Sequence, residues 1–319
     1  MQAAPSIKPH VVVTAMGDSL SFLKGSIVNL VVRYVRKLVP QFSLPGSVRY
    51  KAALSSGAGA RLVPPELSPT DLAVLQYTGG TTGVSKGVML QHRNLVANVI
   101  QCKTWNLPVM RHLPEDMSFS IVCSLPLYHI FSFTTNLLLG MQFGACNILI
   151  PNPRDVKAML GALAGETFHS FPALNTLFNG VLNHPDFHKV DWSSMRLSLA
   201  GGMATNQSTA QLWREKTGCT ICEGYGLSET SPVATCNLVT GPVLGTIGLP
   251  LPDTDVVLLG DDGREVAPGE PGEIAIRGPQ VMAGYWQRPE ETAHVMTPDG
   301  FFKSGDIGTM DSRGFFRIR

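Results

Sequence analysis

Short apolar runs alternate with longer amphipathic stretches along the first part of the chain. The runs are typical of buried strands and lie at residues 11–14, 72–77, 121–125, 147–150 and 196–199. Helical periodicity is seen between them, at residues 95–102, 156–163 and 207–216. Strand and helix in alternation predict an α/β fold with layered, mostly parallel sheets over residues 1–235.

The pattern changes after about residue 236. Short runs at 256–259, 273–277, 301–303 and 315–318 are separated by turn clusters of Asp, Gly, Pro and Ser. This predicts a smaller, barrel-like β-rich subdomain over residues 236–319. Met1 leads almost at once into a strand and Arg319 falls inside one. We therefore expect part of the first domain and any segment after Arg319 to be absent.

Two segments raise the question of membrane contact. Residues 117–153 contain no Asp, Glu, Lys or Arg, and 131–150 is long enough to cross a bilayer. Pro126 and scattered polar residues favour instead a strand, a core helix at about 131–142 and a second strand. In residues 21–39, apolar side chains recur at near-helical spacing beside basic ones: Phe22, Val28, Val32, Val35 and Val39 with Lys24, Arg33, Arg36 and Lys37. This segment is interpreted either as a helix in peripheral contact with a membrane or as a buried helix with a solvated edge.

Composition narrows the class of protein. The 319 residues are 44% hydrophobic and 15% charged, which indicates a folded globular chain. A net charge of +1 argues against a nucleic-acid-binding protein. The composition is compatible with either a monomer or an oligomer. Six scattered cysteines favour free thiols in the cytoplasm, with the inner membrane as the site of any peripheral contact. Cys219 and Cys222 form a CxxC pair, interpreted as two small residues of a strand rather than a zinc or redox site.

The run from Tyr77 to Gly87, YTGGTTGVSKG, is suited to holding a polyphosphate. Its glycines allow close backbone approach, its threonines donate hydroxyls and its lysine supplies positive charge. The candidate contacts are Tyr77, Thr78, Gly79, Gly80, Thr81, Thr82, Gly83 and Lys86. Lys86 is followed by Gly87 and an apolar run, so this is not the strand–loop–helix motif of P-loop hydrolases. We predict a loop that joins two strands.

This run resembles the first signature of the adenylate-forming superfamily, which includes acyl-CoA synthetases, luciferases and peptide-synthetase adenylation domains. Gly79 stands where Ser is common and Ser85 where Pro is common, and the Gly-Gly form is similar to bacterial long-chain acyl-CoA synthetases. Residues 223–230, EGYGLSET, and 303–307, KSGDI, resemble the second and third signatures. Segments 126–129, 200–203 and 278–286 also match, so the resemblance covers essentially the whole chain.

The resemblance assigns roles within these motifs. Tyr225 and Gly226 would contact adenine, Ser228 a phosphate, and Asp306 both ribose hydroxyls. Glu229 would be the Mg²⁺ ligand. The resemblance also makes Glu229, Lys86 and Thr82 the expected catalytic residues. Gly202 would contact both nucleotide and substrate, and Gly201 and His129 would lie beside the acyl group. Taken in isolation, His129 is interpreted as a core histidine because its surroundings are uncharged.

The resemblance implies ATP-dependent activation of a long-chain fatty acid to acyl-AMP and then acyl-CoA, with ATP, Mg²⁺ and coenzyme A taking part. In that family a C-terminal lid domain completes the site, so this chain is expected to carry the adenylation core only and to be inactive alone. Two alternatives stay open. One is another adenylating enzyme of the superfamily, and the other is a non-catalytic nucleotide-binding remnant.

Overall fold

The computed structural model describes residues 10–79, 85–110 and 118–319, which form two compact units divided between Glu66 and Leu67. The boundary predicted at residues 235 and 236 lies inside the second unit and stays a prediction. The first unit contains a parallel pair of short strands, β1 (Val12–Val13) and β2 (Val48–Arg49). Its helices are α1 (Phe22–Leu30), which continues into a π-helical turn at Val31–Val35, and α2 (Tyr50–Gly57).

The second unit is built on three sheets. Its strands are β3 (Leu72–Thr78), β4 (Lys86–Gln91), β5 (Ser120–Cys123), β6 (Cys146–Leu149), β7 (Ser170–Ala173), β8 (Leu197–Ala200), β9 (Ile221–Gly226), β10 (Val233–Cys236), β11 (Leu249–Pro250), β12 (Asp255–Leu259), β13 (Gly272–Arg277), β14 (Gly284–Tyr285), β15 (Phe302–Met310) and β16 (Phe316–Ile318). Its helices are α3 (His92–Met110), α4 (Ile130–Ser132), α5 (Leu139–Phe143), α6 (Val156–Leu163), α7 (Asn175–Leu182), α8 (Gln207–Thr217) and α9 (Pro289–Val295).

The largest sheet has the strand order β11-β10-β9-β8-β7-β5-β6. Neighbouring strands from β9 to β6 are parallel, whereas β10 and β11 are added antiparallel at one edge. Strands and helices therefore alternate as the sequence predicts, and the carboxyl ends of β8 and β9 meet at the same edge. The mixed α/β fold class is confirmed.

The other two sheets are antiparallel. β12, β13, β15 and β16 form a curled four-stranded sheet, which is the β-rich part expected after residue 236. β3 and β4 pair as a hairpin, with β14 added beside β4. The loop between Thr78 and Lys86 joins two strands, as predicted for the glycine- and threonine-rich run.

An aromatic cluster packs beneath the large sheet. The indoles of Trp213 and Trp192 meet at 5.2 Å between ring centroids. Phe171 stacks on Trp213, and Phe178 meets both of these rings edge-on. Trp213 is fully buried and donates its Nε1–H to Ser198 Oγ at 2.9 Å, so its polar atom is satisfied. The cluster joins α7 and α8 to the sheet, because Phe171 lies in β7 and Ser198 lies in β8.

Two expectations are refined by the structure. The core helix at 131–142 is divided into α4, a π-helical turn at Phe133–Leu138, and α5. In the described ranges, no helix combines the length and hydropathy needed to cross a bilayer.

Candidate active site

One cavity of about 1080 Å³ gathers residues from the separate sequence motifs. Ten of the predicted site residues line it: Thr78, Gly79, Lys86, His129, Gly201, Gly202, Tyr225, Gly226, Ser228 and Glu229. Gly80, Thr81, Thr82 and Gly83 lie outside the described residues. The ring of Tyr77 packs against Gly87, where an added Cβ would meet the ring at 3.3 Å. The motifs thus converge on one site in three dimensions.

Tyr225 and Asp306 are joined by a hydrogen bond. Tyr225 lies near the end of β9, and its hydroxyl donates to Asp306 Oδ2 at 2.8 Å. Burial raises the pKa of the Tyr225 hydroxyl, so it stays a donor at neutral pH. Asp306 lies in β15 where the pairing with β13 shifts register. There the Gly305 N–H donates to Glu273 Oε1 at 2.9 Å, and Gly305 has a φ of +80°. The flat ring and the carboxylate predicted for adenine and ribose are therefore in contact.

Glu229 lies on a 3₁₀ turn, Ser228–Thr230, immediately after β9. Its Oε1 accepts a hydrogen bond of 2.7 Å from the hydroxyl of Tyr285, and its backbone carbonyl accepts from the N–H of Met282 at 2.8 Å. Only 7% of Glu229 is exposed, yet the residue lines the cavity. Its carboxylate therefore has a fixed direction.

The side chains that could ligate the expected Mg²⁺ ion are few. Within the described part of the chain, no group of three or more His, Cys, Asp or Glu side chains is placed to hold a metal. Mg²⁺ typically takes one or two protein carboxylates, with water and phosphate oxygens as its other ligands. A single fixed carboxylate fits an ion that arrives bound to a nucleotide rather than a resident metal.

Lys86 is the first residue of β4 and forms an ion pair across the site. Its Nζ lies 2.6 Å from Glu291 Oε2 and 5.1 Å from the centroid of the Tyr285 ring. The bond from Lys86 lowers the pKa of the Glu291 carboxyl, which keeps the pair charged. Sequence analysis did not identify Glu291 or Tyr285 as site residues. Tyr285 falls within a matching segment, but a glutamate in the first turn of a helix is usually only solvated.

The glycine-rich turn after β8 brings backbone close to the cavity. An added Cβ at Gly201 would meet the ring of Phe131 at 3.2 Å, and Gly202 adopts φ of +78° beside Leu174. Glu223 stabilises the segment after this turn, because its Oε2 accepts a hydrogen bond of 3.0 Å from the N–H of Thr205. Burial raises the pKa of the Glu223 carboxyl.

His129 is not a core residue, which corrects the interpretation reached from its uncharged surroundings. It is exposed and lines the cavity at the start of α4, where its Nδ1 accepts the Phe131 N–H at 3.2 Å. The apolar stretch around it buries its neighbours Ile130 and Phe131, while the cap position turns the imidazole outward.

The cavity continues into an apolar arm, defined here by Cys102, Trp105, Met110, Ile121, Leu197 and Leu199. The helical residues lie on one face of α3 and extend for about 12 Å along its axis. Leu197 and Leu199 share a face of β8 and continue the line from Gly201 away from the motifs. Lys86, Glu229, Glu273 and Lys303 are the Asp, Glu, Lys or Arg residues among the described lining, and none lies in the arm.

The CxxC pair does not belong to this cavity. Cys219 and Cys222 are buried, and burial raises the pKa of both thiols. High thiol pKa and deep burial are typical of structural cysteines. Only Cys222 lies in a strand, because β9 begins at Ile221 and Cys219 precedes it.

The family model described as AMP-binding enzyme matches residues 8–286. The chain belongs to the AMP-binding enzyme family. Curated relatives of this AMP-binding chain include a long-chain-fatty-acid–CoA ligase of Escherichia coli O157:H7, 47% identical over 310 residues, which is 97% of this chain and 54% of the relative. One of the same name from Bacillus subtilis strain 168 is 36% identical over 98% of this chain and 55% of the relative. The chain therefore spans about half the length of the curated relatives it matches.

Solved structures agree with this family assignment. ATP-bound MatB from Rhodopseudomonas palustris is 29% identical, with a TM-score of 0.74 over 86% of this chain and 54% of that one. O-succinylbenzoate coenzyme A synthetase from Bacillus subtilis, in complex with ATP and magnesium ion, is 25% identical, with a TM-score of 0.67 over 81% of this chain and 52% of that one.

Proposed function

We propose that this AMP-binding chain carries the core that activates a long-chain fatty acid with ATP, giving acyl-AMP and pyrophosphate. The observation that carries this proposal is the single cavity, which joins a charged end built from the three motifs to an arm without charged side chains. The polar end suits a nucleotide and the apolar arm suits an alkyl chain. Relatives named long-chain-fatty-acid–CoA ligase support the choice of acid.

The chemistry asks for positioning and charge rather than a general base. A fatty carboxylate is ionised at neutral pH, because carboxyl pKa values lie near 4. It attacks the α-phosphorus of ATP, a P–O bond forms, and the bond to pyrophosphate breaks. In our proposal Lys86 neutralises phosphate charge, Thr82 and its loop neighbours cradle the phosphates, and Asp306 and Tyr225 orient the nucleoside.

Two further groups take part in the proposed reaction. Glu229 would hold Mg²⁺, which when bound neutralises charge on the phosphates. Coenzyme A would then displace AMP from the acyl group to give acyl-CoA. This second step is proposed only for an enzyme in which a lid domain completes the site, and not for the 319-residue chain alone.

A second candidate is activation of an aromatic acid. A feruloyl-CoA synthase of an Amycolatopsis species is 34% identical over 80% of this chain and 51% of the relative, so the family relationship does not decide the acid. The length of the apolar arm favours an alkyl chain. A non-catalytic remnant that still binds nucleotide is the third alternative.

Stable acyl-sulfamoyl adenosines, which imitate acyl-AMP, separate these possibilities. Isothermal titration calorimetry of the chain should show the palmitoyl compound binding at least about a hundredfold more tightly than AMP, because it fills the apolar arm as well. The feruloyl compound should be weaker than the palmitoyl one. Tighter feruloyl binding would favour the aromatic acid. A palmitoyl compound that binds no more tightly than AMP would overturn the proposal and favour the nucleotide-binding remnant. Absence of binding by both AMP and the palmitoyl compound would overturn the proposal as well.

We also propose that residues 21–39 contact an anionic membrane surface peripherally, at the inner membrane. Within the first unit, α1 and its π-helical extension expose an apolar row with helical spacing: Leu23, Ile27, Leu30 and Tyr34, each more than half exposed. This row differs from the one predicted, since Val28, Val32 and Val39 are partly buried. Arg33, Arg36 and Lys37 are exposed beside it.

A further inference from the structure

Tyr285 contacts two oppositely charged side chains that line the polar end of the cavity, Glu229 and Lys86. It lies on β14, opposite Val88 of β4, and only 6% of it is exposed. Its hydroxyl donates to Glu229 Oε1 at 2.7 Å, while Lys86 Nζ lies 5.1 Å from the centroid of its ring. Three segments distant in sequence thus meet at one aromatic side chain.

We propose that Tyr285 is a positioning residue that sets the Glu229 carboxylate and the Lys86 ammonium at a fixed separation for a Mg²⁺-bound triphosphate. This inference rests on the proposed function, since it presumes that the polar end of the cavity takes Mg²⁺ and ATP. Tyr285 acts through these two charged groups, and no contact between Tyr285 and the nucleotide is needed.

The hydroxyl group of Tyr285 orients the Glu229 carboxylate. A buried carboxylate needs hydrogen bonds, and this one has a single hydroxyl donor on Oε1. Among the described residues, Oε2 has no hydrogen-bond partner, so it is available to a metal ion in the cavity. Outer hydrogen bonds of this kind orient metal-ligating carboxylates, and their loss typically weakens metal affinity ten- to a hundredfold.

The ring of Tyr285 holds the Lys86 ammonium from a second side. An ammonium has three N–H donors, of which the ion pair with Glu291 uses one. Glu291 is itself fixed by Arg288, with Nη1 at 3.5 Å from Oε1. The aromatic face and the carboxylate together limit where Nζ can lie, and they leave N–H groups free to meet phosphate oxygens.

The two contacts of Tyr285, with Glu229 and with Lys86, can be removed separately by substitution. Tyr285→Phe removes the hydroxyl but keeps the ring, so the hydrogen bond to Glu229 is lost and the contact with Lys86 stays. Tyr285→Leu removes both. Tyr50→Phe, in the first unit, is the matched loss of a tyrosine hydroxyl far along the chain from the site.

The measurement is ATP affinity of the 319-residue chain by isothermal titration calorimetry, with Mg²⁺ and again with EDTA. Tyr285→Phe should reduce the gain in affinity that Mg²⁺ provides by about tenfold or more, and leave the affinity in EDTA unchanged. Tyr285→Leu should also weaken ATP binding in EDTA, by about fivefold. Tyr50→Phe should match wild type in both conditions.

A double-mutant cycle tests whether Tyr285 acts through Glu229. In a Glu229→Ala background, Tyr285→Phe should have no further effect on the Mg²⁺ dependence. If Tyr285→Phe only lowers the melting temperature while the gain from Mg²⁺ is unchanged, the role is structural and the inference is overturned. Additive effects in the cycle would overturn it as well. Failure of the wild-type chain to bind Mg²⁺ and ATP would instead count against the proposed function.

Discussion

At the residue scale, the carboxylates that our proposal assigns to ribose and to Mg²⁺ are both hydrogen-bonded to tyrosine hydroxyls. Asp306 accepts from Tyr225 and Glu229 from Tyr285, at 2.8 and 2.7 Å. Each carboxylate has a second oxygen available for a ligand. The tyrosines therefore fix the direction of each carboxylate without consuming its capacity to bind. Both tyrosine pKa values are raised, chiefly by burial, so this arrangement persists at neutral pH.

Asp306→Asn tests the assignment of the ribose site. The amide keeps its shape and still accepts from Tyr225, but it loses the charge that would hold a diol. We expect ATP affinity to fall about tenfold or more, as for loss of hydrogen bonds to a charged group. Affinity for 2′,3′-dideoxy-ATP should hardly change, because that nucleotide has no ribose hydroxyls. Calorimetry with both nucleotides checks this, and an equal loss for the two would contradict the ribose role.

Sequence alone identified the residues that carry motif chemistry but not those that hold them in place. Tyr225, Glu229 and Asp306 stand in recognisable runs, and the structure brings all three to one cavity or its edge. Glu291 stands in no such run, and only the fold brings it from α9 to Lys86. His129 was misjudged in isolation because hydrophobic surroundings in sequence say little about which side chain caps a helix.

At the element scale, the reversal between β9 and β10 borders the polar end of the cavity. Gly226 ends β9 and pairs with Val233 of β10, where the chain has just reversed through Ser231 and Pro232. A Cβ at Gly226 would collide with the carbonyl oxygen of Pro232. The absence of a side chain here is therefore a requirement of packing as well as of ligand access.

Gly226→Ala is expected to lower the free energy of unfolding by about 1–3 kcal/mol, because a backbone atom has to move to admit the methyl group. The matched control is Gly161→Ala in α6, where an added Cβ meets nothing within 4 Å and the position is exposed. That change should raise stability by about 0.5–1 kcal/mol, through helix propensity. Urea unfolding of both variants checks the pair. Equal shifts would show that the clash at Gly226 is relieved without cost.

Strand and helix periodicity predicted most elements of the large sheet, and its failures have physical causes. β7 was not identified because Pro172 stands in it and proline is rare in central strands. The strand expected around Cys219 and Cys222 begins at Ile221 and continues as β9 to Gly226. Its far end was missed because two glycines weaken the apolar pattern. The π-helical turn at Phe133–Leu138 has no distinct periodicity over so few residues, so one helix was expected.

At the scale of the whole molecule, the site is assembled entirely within the second unit, from Leu67 to Arg319. All three sheets contribute to it: the hairpin provides Lys86, the large sheet Tyr225, and the four-stranded sheet Asp306. The relative order of these sheets could not be read from the sequence, because it depends on which apolar faces pack together. The three motifs in their order nevertheless predicted that they would converge.

The remaining prediction concerns the first unit alone. Its row of exposed apolar side chains along α1 lies beside basic residues, a combination that suits the interface of an anionic bilayer. We expect the chain to co-sediment with phosphatidylglycerol vesicles and only weakly with phosphatidylcholine vesicles. Changing Arg33, Arg36 and Lys37 together to Glu should reduce partitioning by about a hundredfold or more, since each basic residue contributes about 1 kcal/mol near such a surface.

A matched control keeps this test specific to α1. Arg154, Lys157 and Arg264 are exposed basic residues of the second unit, and reversing all three to Glu changes the net charge of the chain by the same amount. If attraction were a property of net charge, both triple variants would lose binding equally. A loss confined to the α1 variant would place the contact on the helix, because electrostatic attraction to a surface decays within about 10 Å at moderate salt. Wild-type binding by the α1 variant would show that residues 21–39 do not contact the membrane.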